Sequence, residues 1–420
     1  MRFQKQFFSL LIFLICSYTV YAQDERVNLP GVLKNAYFGI NVGYINYDFG
    51  ASQLLITPTD YKLSSIKINH PAVRLVLYGY EFNKYIAAQI TYMRPVNWVF
   101  YYFDPINNGS VSRHSVWMNV GGLTLRPQLP ITNKLSINGE VGLALVTRHG
   151  FKDDANNDII SGVTYPSWLL GTGLVYNLDN SWRLLLSGVL TPKNTTNNQP
   201  TTTFISAGFN YKLQPVSEKK IAKAAETGYI NPKQWIQIGY TNNALGYGIN
   251  NTLEKASLFW GGDVEVHQGL TVCYQRNIFH TPKLFALDWG VSASAWQTRG
   301  VGSGLSNSNK ESFFTLSVYP ILRFNILHTK PFDAYTYYSI AGPTYISKTD
   351  FNIQNIHGVN EMAFTGEHFT FQDNIGLGAF FGTKRNLNAE FRIGHYSNGN
   401  IFPVNAAFKI PLSFNIGYAF

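Results

Sequence analysis

Apolar and polar positions alternate with a period of two along most of this chain, as expected of strands whose two faces meet different surroundings. Leu387, Ala389, Phe391 and Ile393 alternate with Asn388, Glu390, Arg392 and Gly394. Phe285, Leu287, Trp289 and Val291 alternate with Ala286, Asp288, Gly290 and Ser292. Phe314, Leu316, Val318, Pro320, Leu322 and Phe324 face away from Thr315, Ser317, Tyr319 and Arg323. At the end of the chain, Phe408, Ile410, Leu412, Phe414, Ile416, Tyr418 and Phe420 read as one face, and Lys409, Pro411, Ser413, Asn415 and Gly417 as the other. A soluble sandwich rarely keeps its charges on one wall and apolar or aromatic residues on the other. A transmembrane barrel demands it, with lipid outside and a polar lumen inside. Asp288, Arg323, Glu390 and Arg392 share interior parity and are expected to fill a narrow lumen with a salt-bridge network.

The same pattern predicts eight strands in the first half, near residues 36–47, 70–83, 85–95, 112–128, 134–147, 164–178, 180–192 and 201–213. Residues 214–233 are polar, partly helix-prone and bounded by Pro215 and Pro232, and read as a periplasmic linker. Eight or nine further strands fit between Trp235 and Phe420. The expected fold is all-β: two eight-stranded antiparallel outer-membrane barrels in tandem, over 30–213 and 234–420. A single sixteen-stranded barrel, which would be a pore, fits the count almost as well.

Composition narrows the class. Aromatic residues make up 15% and charged residues 14%, whereas soluble domains carry roughly a quarter charged residues. After the N-terminus no stretch approaches eighteen uninterrupted apolar residues, which excludes helical spans. Arg2 and Lys5 precede an apolar run over 7–20, and Val20-Tyr21-Ala22 offers a cleavage site, so 1–22 read as a removable secretory signal. Ile15 before Cys16 is too bulky for a lipoprotein site. With the signal removed, Cys273 is the one cysteine left, so neither an intramolecular disulfide nor a thiolate zinc site is available. The net charge of +9 fits lysines in loops and lumen. No basic cluster interleaves with exposed aromatics as nucleic acid requires. The destination read from these features is the outer membrane of a two-membrane bacterium; oligomeric state is not legible.

Candidate chemistry centres on Gly394-His395-Tyr396-Ser397-Asn398-Gly399. His395 and Ser397 share parity with Phe391 and Ile393, which directs them sideways into the membrane at the outer-leaflet boundary. A histidine within reach of a serine is the minimum that activates a hydroxyl nucleophile. The plain alternative is an interfacial pair that marks the end of the apolar belt. The remaining histidines, among them His114, His149, His267, His280, His357 and His368, show no ligand spacing, and the Gly-rich pieces do not join a strand to a helix as a phosphate loop must.

His395-Tyr396-Ser397-Asn398 on the penultimate strand, a short loop with Pro403 and Asn405, and a last strand ending in Phe420 together resemble the PagL-type lipid A 3-O-deacylases. The stretch 369–378 is similar to that family as well, and the resemblance covers the second half, best from Glu367 onward. It implies an eight-stranded outer-membrane serine esterase that hydrolyses an ester-linked acyl chain of lipid A and needs no cofactor. By the match Ser397 is the nucleophile, His395 the general base, and Asn398 and Asn405 candidates for oxyanion stabilisation. The family's glutamate has no counterpart, since residues 400–409 contain no carboxylate. Asp373 is a substitute if a turn over 383–385 sets it opposite His395; a bulge that swings Asp373 inward is the competing possibility. The first half carries nothing legible as catalytic. A non-enzymatic barrel serving as scaffold or assembly partner is the rival reading.

Overall fold

The computed structural model describes residues 28–420 apart from 57–60, 108–109, 154–156, 220–221, 223–225, 227, 256–261, 282, 299–309, 355–359 and 403. The signal segment expected over 1–22 lies outside the described residues. The first half forms β1 (Ala36–Tyr47), β2 (Tyr61–Lys67), β3 (Pro71–Glu81), β4 (Ile86–Pro95), β5 (Val99–Pro105) and β6 (Ser112–Pro130). It continues with β7 (Leu135–His149), β8 (Phe151–Lys152), β9 (Asp158–Ile160), β10 (Val163–Asn177), β11 (Trp182–Thr191) and β12 (Thr202–Lys212). Eight of these close on themselves in the order β6-β4-β3-β1-β12-β11-β10-β7, with β7 returning to β6.

The second half holds β13 (Gln234–Asn242), a short helix α1 (Ile249–Lys255), β14 (Val264–His280), β15 (Phe285–Thr298), β16 (Ser312–His328) and β17 (Phe332–Ile346). It ends with β18 (Asp350–Gln354), β19 (Asn360–Phe364), β20 (Phe369–Phe381), β21 (Leu387–Ser397) and β22 (Phe408–Ala419). The strands β13-β14-β15-β16-β17-β20-β21-β22 form a closed barrel, sealed where Trp235 to Thr241 pair antiparallel with Ala419 to Ser413. Because β1 pairs with β12 and β13 with β22, every barrel strand finds both neighbours within its own half. The sixteen-stranded pore is thereby excluded.

Parity holds along both walls. Phe391, Leu377, Phe414 and Ile416 are exposed on the outside, while Asp288, Arg323, Glu390 and Arg392 are buried within. Of the salt-bridge network expected in the lumen, Asp288 and Arg323 form an ion pair, whereas Glu390 and Arg392 are held by neutral partners. Arg323 Nε lies 2.7 Å from Asp288 Oδ2, and Asn277 donates to Asp288 Oδ1 at 2.7 Å. Glu390 accepts from the hydroxyls of Tyr335 (2.9 Å) and Tyr337 (2.7 Å) and from Gln237 (3.2 Å). Arg392 Nη2 stands 3.3 Å from the Cys273 sulfur. The first barrel repeats the device with Arg74 paired to Glu140, which also accepts from Thr124 at 2.8 Å. The outer end of the second barrel is filled instead by an apolar cluster that includes Val264, Trp296, Phe313, Tyr396, Phe408 and Ile410.

Two features depart from the alternation. The antiparallel pair β2 and β5 extends the first sheet beyond β6, and β8–β9 and β18–β19 form separate two-stranded pieces. These lie outside the closed belts, so nothing enforces lipid-and-lumen alternation and the pattern does not reveal them. The second departure is in β22. Arg392 pairs with Ser413 but Gly394 pairs with Ile410, so β22 carries one extra residue at Pro411–Leu412. Such a bulge inverts the faces beyond it. Phe408 and Ile410, expected on the lipid face, are therefore buried in the lumen cluster, and Lys409 turns outward. Pro411, which cannot donate to a ladder, marks the site of the irregularity.

Removing one partner of a buried pair strands the other charge. Asp288→Leu is therefore expected to lower the stability of the second barrel by about 3–5 kcal/mol, read as a reduced urea midpoint in lipid vesicles followed by tryptophan fluorescence.

Candidate active site

Strand β21 carries the centre of the site on its outer column. The turns at 329–331 and 382–386 are tight, with Gly382 at φ 84° and Arg385 at φ 57°. The connections at 243–263, 347–368 and 398–407 are long. In bacterial barrels short turns face the periplasm and long loops the exterior, so the end of β21 lies at the outer leaflet. The register sets Asp373 directly opposite His395 and Phe371 opposite Ser397. On the other side His395 faces Lys409. Lys409 in turn pairs with Glu265, where β14 runs parallel to β22 for two residues, and the two side chains form an ion pair at 3.3 Å. The outer wall therefore carries a row Asp373–His395–Lys409–Glu265 above an apolar belt. Of the row, Lys409 and Glu265 were not expected. The bulge at Pro411 puts Lys409 there, and the early exit of β13 at Asn242 lets β14 reach β22.

His395 is buried, 3% exposed. The strand beneath it is pinned from α1: the buried Asn250 donates to Gly394 O at 3.1 Å and to Ile410 O at 3.2 Å, across the bulge. Gly394 suits this place because a Cβ there would stand 2.8 Å from Asn374 Oδ1. Strand periodicity gives no sign of Asn250, which sits outside any strand.

Beyond Ser397 the chain makes a turn over 398–401 closed by Ile401 N–H to Asn398 O at 3.2 Å. Its two central residues are both left-handed, Gly399 at φ 64° and Asn400 at φ 55°, a conformation that suits Gly and Asn. Two donors converge on the Ser397 hydroxyl oxygen, the Gly399 N–H at 3.1 Å and Asn405 Nδ2 at 3.0 Å. Asn405 also accepts from Asn398 N–H at 2.8 Å and donates to Asn400 Oδ1 at 2.7 Å. Asn398 is buried, and its amide donates to Thr365 O (3.1 Å) and Val404 O (2.6 Å). Asn398 thus ties two loops together, while Asn405 and the Gly399 N–H reach the serine.

Asp373 has the expected outward parity and the expected partner across the register. Its Oδ1 accepts from Ala341 N–H at 2.7 Å and from Tyr338 OH at 3.3 Å. Both donors come from β17, where Ala341 at φ 43° sits in a bulge between Ser339 and Gly342. The other histidines hold structural contacts: His280 with Asn277, His368 with Ile346 O, and His149 stacked on Trp117. His357 lies outside the described residues.

Both halves of the chain match known family models. The model of lipid A 3-O-deacylase (PagL) matches residues 268–407, and that of the OmpA-like transmembrane domain matches residues 33–216. Among solved structures, the outer membrane enzyme PagL aligns at 14% identity and TM-score 0.30, covering 44% of this chain and 99% of that one. Neisserial surface protein A aligns at 13% identity and TM-score 0.29, covering 43% and 98%. The N-terminal β-barrel domain of Pseudomonas aeruginosa OprF aligns at 13% and 0.27, covering 42% and 98%. No curated protein sequence matches the chain. The second half resembles the lipid A deacylase family, the first half resembles an OmpA-like domain, and the protein belongs to the outer membrane.

The outward placement of the site is open to direct chemical test. In a Cys273→Ser background, cysteines at 391 and 397 are expected to react with a membrane-dissolved maleimide spin label, whereas one at Arg392 stays inert. Labelling of residue 397 only by a reagent entering through the lumen would put the site inside the barrel.

Proposed function

We propose that the second barrel is an outer-membrane serine esterase that hydrolyses an ester-linked acyl chain of lipid A. The observation that carries this reading is the convergence of two N–H donors on the hydroxyl of Ser397, the next outward residue after the buried His395, on a wall otherwise given to lipid. Ionisable and polar side chains at membrane depth are costly, and function is the default reason for keeping them. Successive outward residues on a strand are separated by two rises of roughly 3.3 Å, which lets a modest rotation bring the imidazole to the hydroxyl. Catalytic hydrogen bonds commonly tighten only when substrate is bound.

In this reading Ser397 Oγ attacks the acyl carbonyl while His395 takes its proton. Negative charge develops on the carbonyl oxygen, and Asn405 Nδ2 and the Gly399 N–H turn from the hydroxyl to that oxyanion, the kind of preorganised donor pair that stabilises such intermediates. The C–O bond to the sugar then breaks, and His395 returns the proton to the departing sugar oxygen. Water repeats the sequence on the acyl-serine, releasing the fatty acid and restoring Ser397. Asp373, opposite His395, is the proposed acid that favours the imidazolium. Asn398 supports the loop that carries the donors.

A second reading is a structural barrel with a silent site. The hydrogen bonds of Asp373 to the β17 bulge favour it, because they give that carboxylate a purely architectural role.

Purified protein supplied with lipid A in mixed micelles is expected to release fatty acid detectable by mass spectrometry. Ser397→Ala should reduce the rate by at least about 10³-fold, since loss of a serine nucleophile costs even more in well-studied hydrolases, while the barrel stays heat-modifiable. Unchanged release in that variant removes Ser397 from the chemistry, and no release from the wild type selects the silent barrel.

The aspartate separates from the serine in its own test. An amide keeps an acceptor oxygen for Ala341 and Tyr338 but cannot stabilise an imidazolium. If Asp373 orients His395, Asp373→Asn lowers turnover by as much as ~10⁴-fold with unchanged thermal stability. Full activity in that variant assigns Asp373 to the bulge alone.

A further inference from the structure

The outer wall of the first barrel carries a polar row with no counterpart in lipid. Asn119 pairs directly with Thr147 across β6 and β7, and Thr147 pairs with Thr164 across β7 and β10. All three stand in outward columns: Leu123 and Leu125 follow Asn119 on β6, Leu143 and Leu145 precede Thr147 on β7, and Trp168 and Leu170 follow Thr164 on β10. Those apolar neighbours are exposed, yet Asn119 is 3% exposed and Thr147 is 0% exposed. Something polar covers the row, and it is the turn that follows Ser397. Asn119 Nδ2 donates to Asn400 O at 2.8 Å. Thr147 and Thr164 hydroxyls lie 2.9 and 3.0 Å from Ile401 O. Tyr92, outward on β4, donates to Gly399 O at 3.1 Å.

We propose that this row is a dock built into the first barrel for the 399–401 turn of the second, and that the first barrel thereby positions the site loop. Three successive carbonyls of a left-handed turn have no strand partner, and a carbonyl left unsatisfied at membrane depth has no water to turn to. The dock satisfies all three. The same two residues then act on the site from their other groups: Gly399 through its N–H on Ser397 Oγ, and Asn400 through its Oδ1 on Asn405 Nδ2. Gripping the carbonyls of 399 and 400 therefore fixes both donors that reach the serine. Tyr92, Asn119, Thr147 and Thr164 are positioning residues in this arrangement, since none touches Ser397. This gives the first half a role that its own sequence does not announce. The docking itself stands on geometry alone; its effect on turnover rests on the esterase reading.

Two measurements on the full chain test it. For docking, Thr164→Cys with Ile401→Cys, in a Cys273→Ser background, is expected to form an intramolecular cross-link in outer membranes with a short bifunctional maleimide; either cysteine alone serves as the control. Absence of that cross-link, or cross-links only between molecules, overturns the dock. For positioning, the triple variant Asn119→Leu, Thr147→Val, Thr164→Val replaces the row with lipid-compatible side chains, so the first barrel has no reason to misfold. It is expected to lower kcat for fatty-acid release by about 10- to 100-fold, the scale of a 1 Å misplacement, with KM for lipid A little changed. Thr147→Ser, which keeps the hydroxyl, should retain wild-type kcat. A triple variant with wild-type kcat overturns the positioning role. Cross-linking of the cysteine pair, together with a wild type that releases no fatty acid, removes the esterase reading and leaves the dock standing.

Discussion

In hydrocarbon there is no water to take up a stray amide or carbonyl, so every backbone group must find a partner inside the protein. That requirement organises the whole chain. Each half answers it separately, with β1 returning to β12 and β13 to β22, and once each belt is shut the two faces of every strand are assigned. Charges go inward, where Asp288 meets Arg323 and Glu390 meets two tyrosines. Aromatic and branched residues go outward. With the outer end of the second lumen packed by Trp296, Phe313, Tyr396 and Phe408, the proposed lipid chemistry is left to the wall.

Around His395 the wall departs from its apolar rule where the belt itself is irregular. The early end of β13 leaves the top of β22 beside β14, and the extra residue at Pro411–Leu412 turns Lys409 from lumen to lipid side. Across from them, the bulge at Ala341 frees an amide that Asp373 accepts. Three departures from regular pairing surround His395. Bulges gather near functional sites because they re-aim a side chain without breaking the sheet. Here the bulge in β22 and the early end of β13 bring Lys409 and Glu265 into line with Asp373 and His395, which the regular register of β20 and β21 already sets face to face.

The strands of both belts were legible because period two has only one explanation when one wall is charged and the other is not. Seven residues of β21, from Leu387 to Ile393, fix the outward face on which His395 lies, and a three-residue turn fixes Asp373 opposite it. The inversion in β22 was not legible, since apolar residues at 408 and 410 suit a packed lumen as well as lipid. Pro411 was the local clue. Asn250 escaped because it acts from a helix between strands. The polar row on the first barrel escaped for another reason: Asn119, Thr147 and Thr164 sit near strand ends, where isolated polar residues are ordinary. Only the three-dimensional register lines them up and shows what covers them.

Cys273 stands inside the second lumen, buried against Arg392. Until the belt shuts, that thiol stands open to an oxidising periplasm. Closure of the barrel then takes the sulfur out of reach of any disulfide exchange, which needs an approaching thiolate. The one sulfur thus tells an open belt from a closed one: reachable before the last strand seals, out of reach afterwards.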